Sequence, residues 1–133
     1  MCADLVRRLH DAGFLHADLN VGNLVLERSA AGETLHVVDL DRGRFLPAVS
    51  PRARLGNLAR LLRSYEKWIA GRLRLSRREE IDFLRRYGRG DRPLVRFLAK
   101  GLARYRTGLD LRRRRKRRAE VPGSQDRLAG PLQ

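Results

Sequence analysis

The sequence predicts a mainly α-helical domain with one small β-hairpin. Apolar residues recur at three- and four-residue spacing in four segments, which are bounded by glycine, proline or capping residues. Between the first and second of these segments, two short runs of valine and leucine flank a glycine-containing stretch, as is typical of an antiparallel hairpin. The chain has 133 residues, 42% of them hydrophobic, so it forms one domain or part of one.

The first predicted helix begins near residue 3 and ends at Gly13. Its apolar face is marked by Leu5, Val6, Leu9 and Ala12. His10 lies off this face, and we expect it at the surface. A helix that starts so early suggests that another segment normally precedes it.

The predicted hairpin follows a polar stretch, residues 16–23. Residues 24–27 and 35–38 form its arms, and residues 28–34 form the turn. Arms of equal length place Asn23 opposite Asp39 at the open end of the hairpin.

Three further helices complete the predicted fold. The first begins with a serine N-cap followed by proline and covers residues 50–70. The second begins with a Ser-x-x-Glu capping box and covers residues 76–88. The third follows an aspartate at the start of residues 91–107.

The chain is strongly basic, with a formal net charge of +15 and a pI of about 11.6. Residues 112–118 are all arginine or lysine, yet the rest of the chain also has a large basic excess. Basic surfaces attract polyanions such as nucleic acid, anionic membrane, phosphorylated glycolipid or nucleotide. We therefore divide the chain into a folded part, residues 1–110, and a basic tail, residues 111–133, predicted to be disordered because it has little apolar periodicity.

The single cysteine, Cys2, excludes an internal disulfide bond and fits a reducing compartment. No apolar run approaches the roughly 18–20 residues that span a bilayer, and the amino terminus lacks a signal-peptide pattern. We expect a cytoplasmic protein that is peripheral to a membrane.

The polar stretch has the residue types that phosphoryl transfer requires. One carboxylate must orient a substrate hydroxyl and accept its proton, while another carboxylate and an amide oxygen hold Mg²⁺ against nucleotide phosphates. Asp18, Asp39 and Asn23 suit these roles in that order.

The motif His-Ala-Asp-Leu-Asn-x-x-Asn at residues 16–23, followed by Val-Asp-Leu-Asp-Arg-Gly at residues 38–43, resembles the C-terminal lobe of the protein-kinase-like fold. Asparagine at position 20, where protein kinases usually carry lysine, and the Asn-Leu-Ala-Arg-Leu-Leu-Arg-Ser segment at residues 57–64 narrow the resemblance. They are similar to bacterial 3-deoxy-D-manno-octulosonic acid (Kdo) kinase and other lipopolysaccharide core kinases. The similarity extends from residue 5 to about residue 70.

This resemblance implies ATP-dependent phosphorylation of a Kdo hydroxyl on a lipid A precursor, at the cytoplasmic face of the inner membrane. It makes Asp18 the catalytic aspartate and makes Asn23 and Asp39 the Mg²⁺ ligands. It also implies that His16 supports the loop and that Asn20 lies near the transferred phosphate.

Two arginines near Asp39 are candidate substrate contacts. Arg42 and Arg44 could bind an acidic sugar or a lipid A phosphate, because guanidinium groups match such anions; the alternative is that both are merely solvated. Asp41 is either a third group at the metal site or the ion-pair partner of Arg42, and we favour the ion pair.

A kinase of this fold also has an N-terminal lobe with a glycine-rich loop and a phosphate-binding lysine. This sequence contains no G-x-G-x-x-G motif and no lysine before Lys67. The sequence therefore predicts a C-terminal lobe without its N-terminal lobe, with little or no kinase activity alone.

Two other functions remain open. The chain could be a basic nucleic-acid-binding or membrane-binding scaffold that retains a kinase-like lobe. It could also be a small-molecule phosphotransferase of the aminoglycoside type, although a basic lobe is a poor match for a cationic substrate. The arginine run could bind anionic lipid head groups, bind nucleic acid, or be solvated.

Overall fold

The computed structural model is mostly helical with two small antiparallel sheets, and it describes residues 1–68 and 75–119. The helices are α1 (Cys2–Asp11), α2 (Pro51–Trp68), α3 (Arg77–Gly88) and α4 (Arg92–Ala119). The strands are β1 (Phe14–Leu15), β2 (Leu24–Ser29), β3 (Gly32–Val37) and β4 (Arg44–Phe45), with 3₁₀ turns at Val21–Asn23 and Leu40–Arg42. The mainly helical prediction is confirmed. None of the helices in these ranges combines the length and apolar character needed to cross a membrane.

The three helices predicted after the hairpin begin where their capping residues indicate. The side chains of Ser50, Ser76 and Asp91 each accept a hydrogen bond from the backbone N–H three residues later, at 3.0–3.3 Å. The carboxylate of Glu79 accepts a hydrogen bond from the Ser76 N–H at 2.7 Å, which completes the predicted capping box. The predicted end of α2 near residue 70 lies outside the described residues.

Helix α4 is longer than predicted. It continues through Ala119, so the expectation of disorder was wrong for residues 111–119. Arginine, lysine and leucine are good helix formers, and a helix already nucleated by packed residues extends at low cost. The rest of the predicted tail, residues 120–133, lies outside the described residues.

The core lies where the four helices meet beneath residues 16–23. Its most deeply buried apolar side chains are Val6, Leu19, Leu84, Tyr87 and Leu98. Helix α1 packs against α3, and α4 packs against both α2 and α3. Burying large aliphatic and aromatic side chains is the main stabilising contribution in such a small domain, about 1.5–3 kcal/mol for each fully buried chain.

Helices α2 and α4 approach each other at Gly101. A Cβ atom there would lie 2.4 Å from Leu55 Cδ2, so a larger residue at this position would require the Leu55 side chain to move. One turn and a half later, the Arg106 guanidinium bonds Glu66 of α2 at 3.2 Å and also bonds Glu80 of α3. The three helices are therefore joined by close packing at one level and by ion pairs at the next.

The hairpin is longer than predicted, with a different register. Strands β2 and β3 pair from Leu24↔Val37 to Ser29↔Gly32 and are joined by only two turn residues. The shorter turn extends the ladder and shifts it, so Asn23 faces Val38, whose N–H donates to the Asn23 carbonyl at 3.0 Å. Asp39 therefore follows the residue opposite Asn23, rather than lying opposite it.

A second sheet, which was not predicted from the sequence, joins the two ends of the segment that contains the polar stretch. Strand β1 pairs with β4, Phe14 opposite Phe45 and Leu15 opposite Arg44. The Leu46 N–H donates to the Gly13 carbonyl at 2.8 Å, and a Cβ atom at residue 13 would lie 2.3 Å from the Leu46 carbonyl oxygen. Gly13 also has a φ of 78°, so glycine is required there for both reasons. Strands of two residues leave no periodic pattern, which is why the sequence suggested only loops.

Helix α1 buries His10 rather than exposing it. The side chain is 2% exposed, whereas Ala12, assigned to the apolar face, is exposed. The expectation of a surface histidine was therefore wrong. A polar ring is tolerated in a core when both of its nitrogens have hydrogen-bonding partners, as they have here.

Candidate active site

The polar stretch forms a loop between β1 and β2, which we call the Asp18 loop (residues 16–23). His16, at its start, is 1% exposed. The Asp18 N–H donates to His16 Nδ1 at 3.1 Å, so the ring proton lies on Nε2 and is donated to the Val38 carbonyl at 3.2 Å. His16 thereby joins the loop to the residue before Asp39.

Two asparagines fix the conformation of Asp18. Asn20 Nδ2 donates to the Asp18 carboxylate at 3.0 Å and to its carbonyl at 3.1 Å, and Asn23 Nδ2 donates to the same carbonyl at 3.0 Å. The other carboxylate oxygen lies 3.5 Å from Arg60. The Asp18 side chain remains 50% exposed, so the loop presents an oriented carboxylate to an incoming group.

One face of helix α2 holds the backbone of the Asp18 loop. Asn57 Nδ2 donates to the His16 carbonyl at 2.9 Å, and Arg60 donates to the Ala17 carbonyl. Ser64 Oγ accepts a hydrogen bond from the Val21 N–H at 3.0 Å. Residues spaced by three and four lie on one helical face, so a single rigid element holds three points of the loop. In the sequence, residues 57–64 support only the family resemblance, although the spacing of Asn57, Arg60 and Ser64 already indicates a polar stripe.

A buried hydrogen-bonded chain continues from Asn57 into the core. Because the Asn57 amide nitrogen donates to the loop, its oxygen accepts from His10 Nε2 at 3.2 Å. His10 Nδ1 then accepts from the Tyr87 hydroxyl at 2.6 Å, and that hydroxyl accepts from Arg54 at 3.3 Å. Burial lowers the pKa of His10 from 6.5 to about 4, and the positive charges of Arg54 and Arg7 act in the same direction. The ring is therefore neutral at physiological pH.

Asp39 has a backbone conformation that is uncommon for residues other than glycine. Its φ is 61° and its ψ is 49°, in the left-handed region, where strain is often associated with a functional role. A hydrogen bond with Asp41 and the negative charge of that residue raise the pKa of Asp39, while His16 and Arg42 act in the opposite direction. Within residues 1–68 no ion pair joins Asp41 to Arg42, so the ion pair we favoured is not formed.

The donor groups near Asp39 fit Mg²⁺. Two adjacent carboxylates repel each other, and a divalent cation relieves that repulsion. The Asn23 amide oxygen accepts no hydrogen bond from the described residues. Asn23 pairs with Val38, which immediately precedes Asp39. In those same ranges no three His, Cys, Asp or Glu side chains converge, so the donors would be two carboxylates and an amide rather than a full protein cage.

The predicted substrate arginines do not line the groove that includes Asp18. Arg42 belongs to the 3₁₀ turn after Asp39, and Arg44 belongs to β4; both are exposed. That groove, of about 1,080 Å³, has other basic residues on its walls, which the sequence analysis missed: Arg52, Arg60, Arg63, Lys67 and Arg104.

Residues 1–87 match the model of the lipopolysaccharide kinase (Kdo/WaaP) family. The match covers well over half of the chain, and the chain therefore belongs to this family. The resemblance drawn from the Asp18 loop and the residues around Asp39 is confirmed at that level.

Curated relatives are similar to parts of the chain. The 3-deoxy-D-manno-octulosonic acid kinase of Xylella fastidiosa (strain 9a5c) is 45% identical over 64 residues, 47% of this chain and 24% of the relative. The enzyme of the same name from Haemophilus influenzae (strain PittEE) is 33% identical over 81 residues, 57% of this chain and 30% of the relative. The matched region thus amounts to less than a third of either relative.

A solved structure described as WaaP in complex with acyl carrier protein is also similar. It superposes with a TM-score of 0.56 and 28% sequence identity over 78% of this chain and 46% of that chain.

Proposed function

We propose that this chain is the acceptor-binding and catalytic part of an ATP-dependent, Mg²⁺-dependent kinase acting on a Kdo hydroxyl of the lipopolysaccharide inner core. The observation that carries the proposal is the half-exposed Asp18 carboxylate, oriented by Asn20 and Arg60 on a loop that is bonded to α2 at three points. Positioning accounts for much of the rate enhancement in phosphoryl transfer, and this loop is built for positioning.

Each residue of the site has a separate role in this proposal. Asp18 orients the acceptor hydroxyl and accepts its proton. Asn23 and Asp39 would hold Mg²⁺, which when bound neutralises charge on the nucleotide phosphates. His16 keeps the Asp18 loop beside the strand that leads to Asp39, and Asn20 fixes the Asp18 carboxylate. In this proposal Asn20 would also contact the transferred phosphate.

We further propose that the chain is the C-terminal lobe of this kinase, acting at the cytoplasmic face of the inner membrane. The hairpin and the turns beside Asp39 carry exposed large apolar side chains: Val25, Leu26, Val38, Leu40 and Phe45, the last 77% exposed. A nucleotide base, together with a segment that carries a glycine-rich loop and a phosphate-binding lysine, would cover such a surface. This sequence contains no G-x-G-x-x-G motif and no lysine before Lys67. Residues 1–133 alone should therefore show little or no kinase activity.

The metal site can be tested on the chain itself with Mn²⁺ as a paramagnetic probe. We expect Mn²⁺ to broaden the amide NMR signals of residues 23 and 39–41. Asp39→Asn should abolish this broadening, whereas Asp82→Asn, which removes an exposed carboxylate on α3, should leave it intact. Broadening that is unchanged by Asp39→Asn would overturn the assignment of the site.

The reaction can be tested in a chimera in which the part of the Xylella fastidiosa relative that precedes its matched region is joined to this chain. We expect ATP-dependent phosphorylation of a Kdo-bearing lipid A precursor. Asp18→Asn should reduce the rate by about 10²–10⁴-fold, the usual contribution of a positioned general base. A chimera that binds nucleotide and acceptor but gives an unchanged rate with Asp18→Asn would contradict the role of Asp18.

The basic run at the end of α4 supports a second candidate function, binding to an anionic membrane surface or to nucleic acid. Residues 112–118 are all basic and belong to a helix. Such binding would fall steeply with salt and would survive Asp18→Ala and Asp39→Ala. Vesicles with and without anionic lipid, and duplex DNA, each titrated at two salt concentrations, distinguish these partners from one another.

The similar solved structure is described as WaaP in complex with acyl carrier protein, and we propose the same partner for this chain. Co-purification of the tagged chain with acyl carrier protein, and loss of the complex at high salt, would support an interaction made by the basic surface.

A further inference from the structure

We propose that Arg60 is a catalytic residue whose guanidinium group binds the phosphoryl group as it passes to the acceptor hydroxyl. This inference rests on the proposed kinase function and adds a residue to it. In the transfer, the acceptor oxygen bonds to the terminal phosphorus of ATP, and the bond from that phosphorus to the leaving ADP oxygen breaks, with its electron pair staying on ADP. The acceptor proton passes to Asp18. Arg60 forms no covalent bond and only donates hydrogen bonds to the phosphoryl oxygens.

The Asp18 loop itself carries no lysine or arginine in residues 16–23. The two amide hydrogens of Asn20 are both donated to Asp18, so Asn20 can contact a phosphate only by giving up one of these bonds, and it brings no charge. The transferred group has negative charge spread over three oxygens, and an arginine that binds them raises the rate by about 10³–10⁵-fold. A cationic side chain for this group must therefore come from another element of the chain.

Helix α2 brings such a cation to the loop. Arg60 Nη1 donates to the Ala17 carbonyl and lies 3.5 Å from Asp18 Oδ1. In the described part of the chain, no other lysine or arginine forms an ion pair with Asp18. Asn57 and Ser64, on the same helical face, bond the loop at two other points and so fix Arg60 relative to Asp18. Because Asp18 contacts the acceptor hydroxyl, a phosphoryl group that joins that oxygen comes within reach of Arg60.

The contact with the loop uses only part of the Arg60 guanidinium. A guanidinium has five N–H donors, and the contacts with the loop are all made by Nη1. Nε and Nη2 form no hydrogen bond or ion pair within residues 1–68 and 75–119. The side chain is 53% exposed and lines the groove that includes Asp18. The guanidinium is thus anchored but not saturated, and donors positioned in advance stabilise a transition state without further reorganisation.

Support of the loop alone is a poor explanation for an arginine at this position. An ion pair between two half-exposed side chains contributes only about 0–1 kcal/mol to stability. Asn57 and Ser64 already hold the loop through uncharged side chains, one of them buried. The positive charge of Arg60 is instead explained by a negative charge that arrives during the reaction.

The first test uses residues 1–133 with Mg²⁺ and inorganic phosphate, which has the oxygens of the transferred group. We expect a saturable shift of the Arg60 Nε–H NMR signal and of the amide signals of residues 18–20. Arg60→Gln should weaken phosphate binding at residues 18–20 at least about tenfold, because a charge-assisted contact is lost. Arg85→Gln is the matched control; it removes an exposed arginine that pairs with Asp82 on α3, and it should change binding less than about twofold. Equal weakening by both variants, or no shift at residues 18–20, would overturn the proposal.

The second test separates catalysis from support of the loop, in the chimera with the Xylella fastidiosa relative. Arg60→Gln should lower kcat at least about 10²-fold and change the KM of the acceptor less than about threefold, because the contact forms during transfer. Added guanidinium ion should restore the rate of Arg60→Ala at least about tenfold and should not affect Arg85→Ala. A loss confined to KM, or a loss of kcat that guanidinium does not restore, would show that Arg60 only positions the loop and would refute the catalytic role.

The Asp18→Asn variant distinguishes this proposal from the proposed kinase function. It should keep or strengthen phosphate binding, because a carboxylate that repels the anion is removed, while it abolishes transfer in the chimera. Transfer that persists in Asp18→Asn would contradict the kinase mechanism, whereas phosphate binding that Arg60→Gln weakens would still support the contact. A rate that depends on Asp18 but not on Arg60 would overturn this inference alone.

Discussion

Lowering the pH should destabilise this protein through one buried side chain, His10. The ring accepts a hydrogen bond from the Tyr87 hydroxyl and donates one to Asn57, so both nitrogens are in use in the neutral form. A second ring proton would face a hydroxyl that already accepts from Arg54. Protonation therefore breaks the chain of hydrogen bonds that ends on the Asp18 loop.

The magnitude follows from the difference between the folded and unfolded pKa of His10. The pKa is about 4 in the folded state and 6.5 in the unfolded state, so between these values the unfolded state binds the additional proton. Stability is fully present above pH 6.5 and is lost as the pH falls towards 4. The expected loss is about 2 kcal/mol at pH 5 and about 3 kcal/mol below pH 4.

Neighbouring charged groups do not produce the same effect in this window. Arg7 and Arg54 both form ion pairs with Asp11. Burial tends to lower the pKa of Arg54, but its hydrogen bond to the Tyr87 hydroxyl raises it above the ordinary value. Burial tends to raise the pKa of Asp11, but its hydrogen bonds to these two arginines hold it below its ordinary value of 3.8. The stabilisation contributed by that carboxylate is therefore lost only at a pH below the range in which His10 acts.

Urea unfolding followed by circular dichroism at pH 7.5, 6.5 and 5.0 measures the effect, and an NMR titration of the His10 ring measures its pKa directly. His10→Gln is the control; it should be less stable at every pH but should lose the slope between pH 6.5 and 5.0. The reasoning would be refuted if wild-type stability changed by less than about 0.5 kcal/mol over that interval, or if the variant kept the slope.

Three further changes test other parts of the fold and the site. Asn57→Leu should reduce the free energy of unfolding by about 2–4 kcal/mol, because two buried groups lose their partners; a loss below about 1 kcal/mol in urea unfolding would argue against the buried chain. Gly101→Ala should lower stability by about 1–3 kcal/mol despite the higher helix propensity of alanine, since its Cβ atom would lie 2.4 Å from Leu55; a higher melting temperature would contradict this. Asp41→Asn should lower the pKa of Asp39 towards its ordinary value, and an NMR titration that found it unchanged or raised would disprove the coupling.

The starts of the helices and the presence of the hairpin were determined by local sequence. The starts of α2, α3 and α4 were predicted correctly because capping side chains act over three or four residues. The hairpin between Asn23 and Asp39 was also predicted from local sequence, because short runs rich in valine and leucine identify its two strands. Asp18 lies in the loop that enters this hairpin.

Only the tertiary structure decided which distant residues support and surround the site. The pairing of β1 with β4, the burial of His10, the three contacts from α2 to the Asp18 loop and the basic groove all join segments separated by tens of residues. A polar residue on an amphipathic helix gives no sign of whether it faces water or a buried partner, because its partner lies elsewhere in the chain. The sequence therefore predicted His10 wrongly at the surface and gave Arg60 no separate role, and the roles of both follow from the packing of helices against one another.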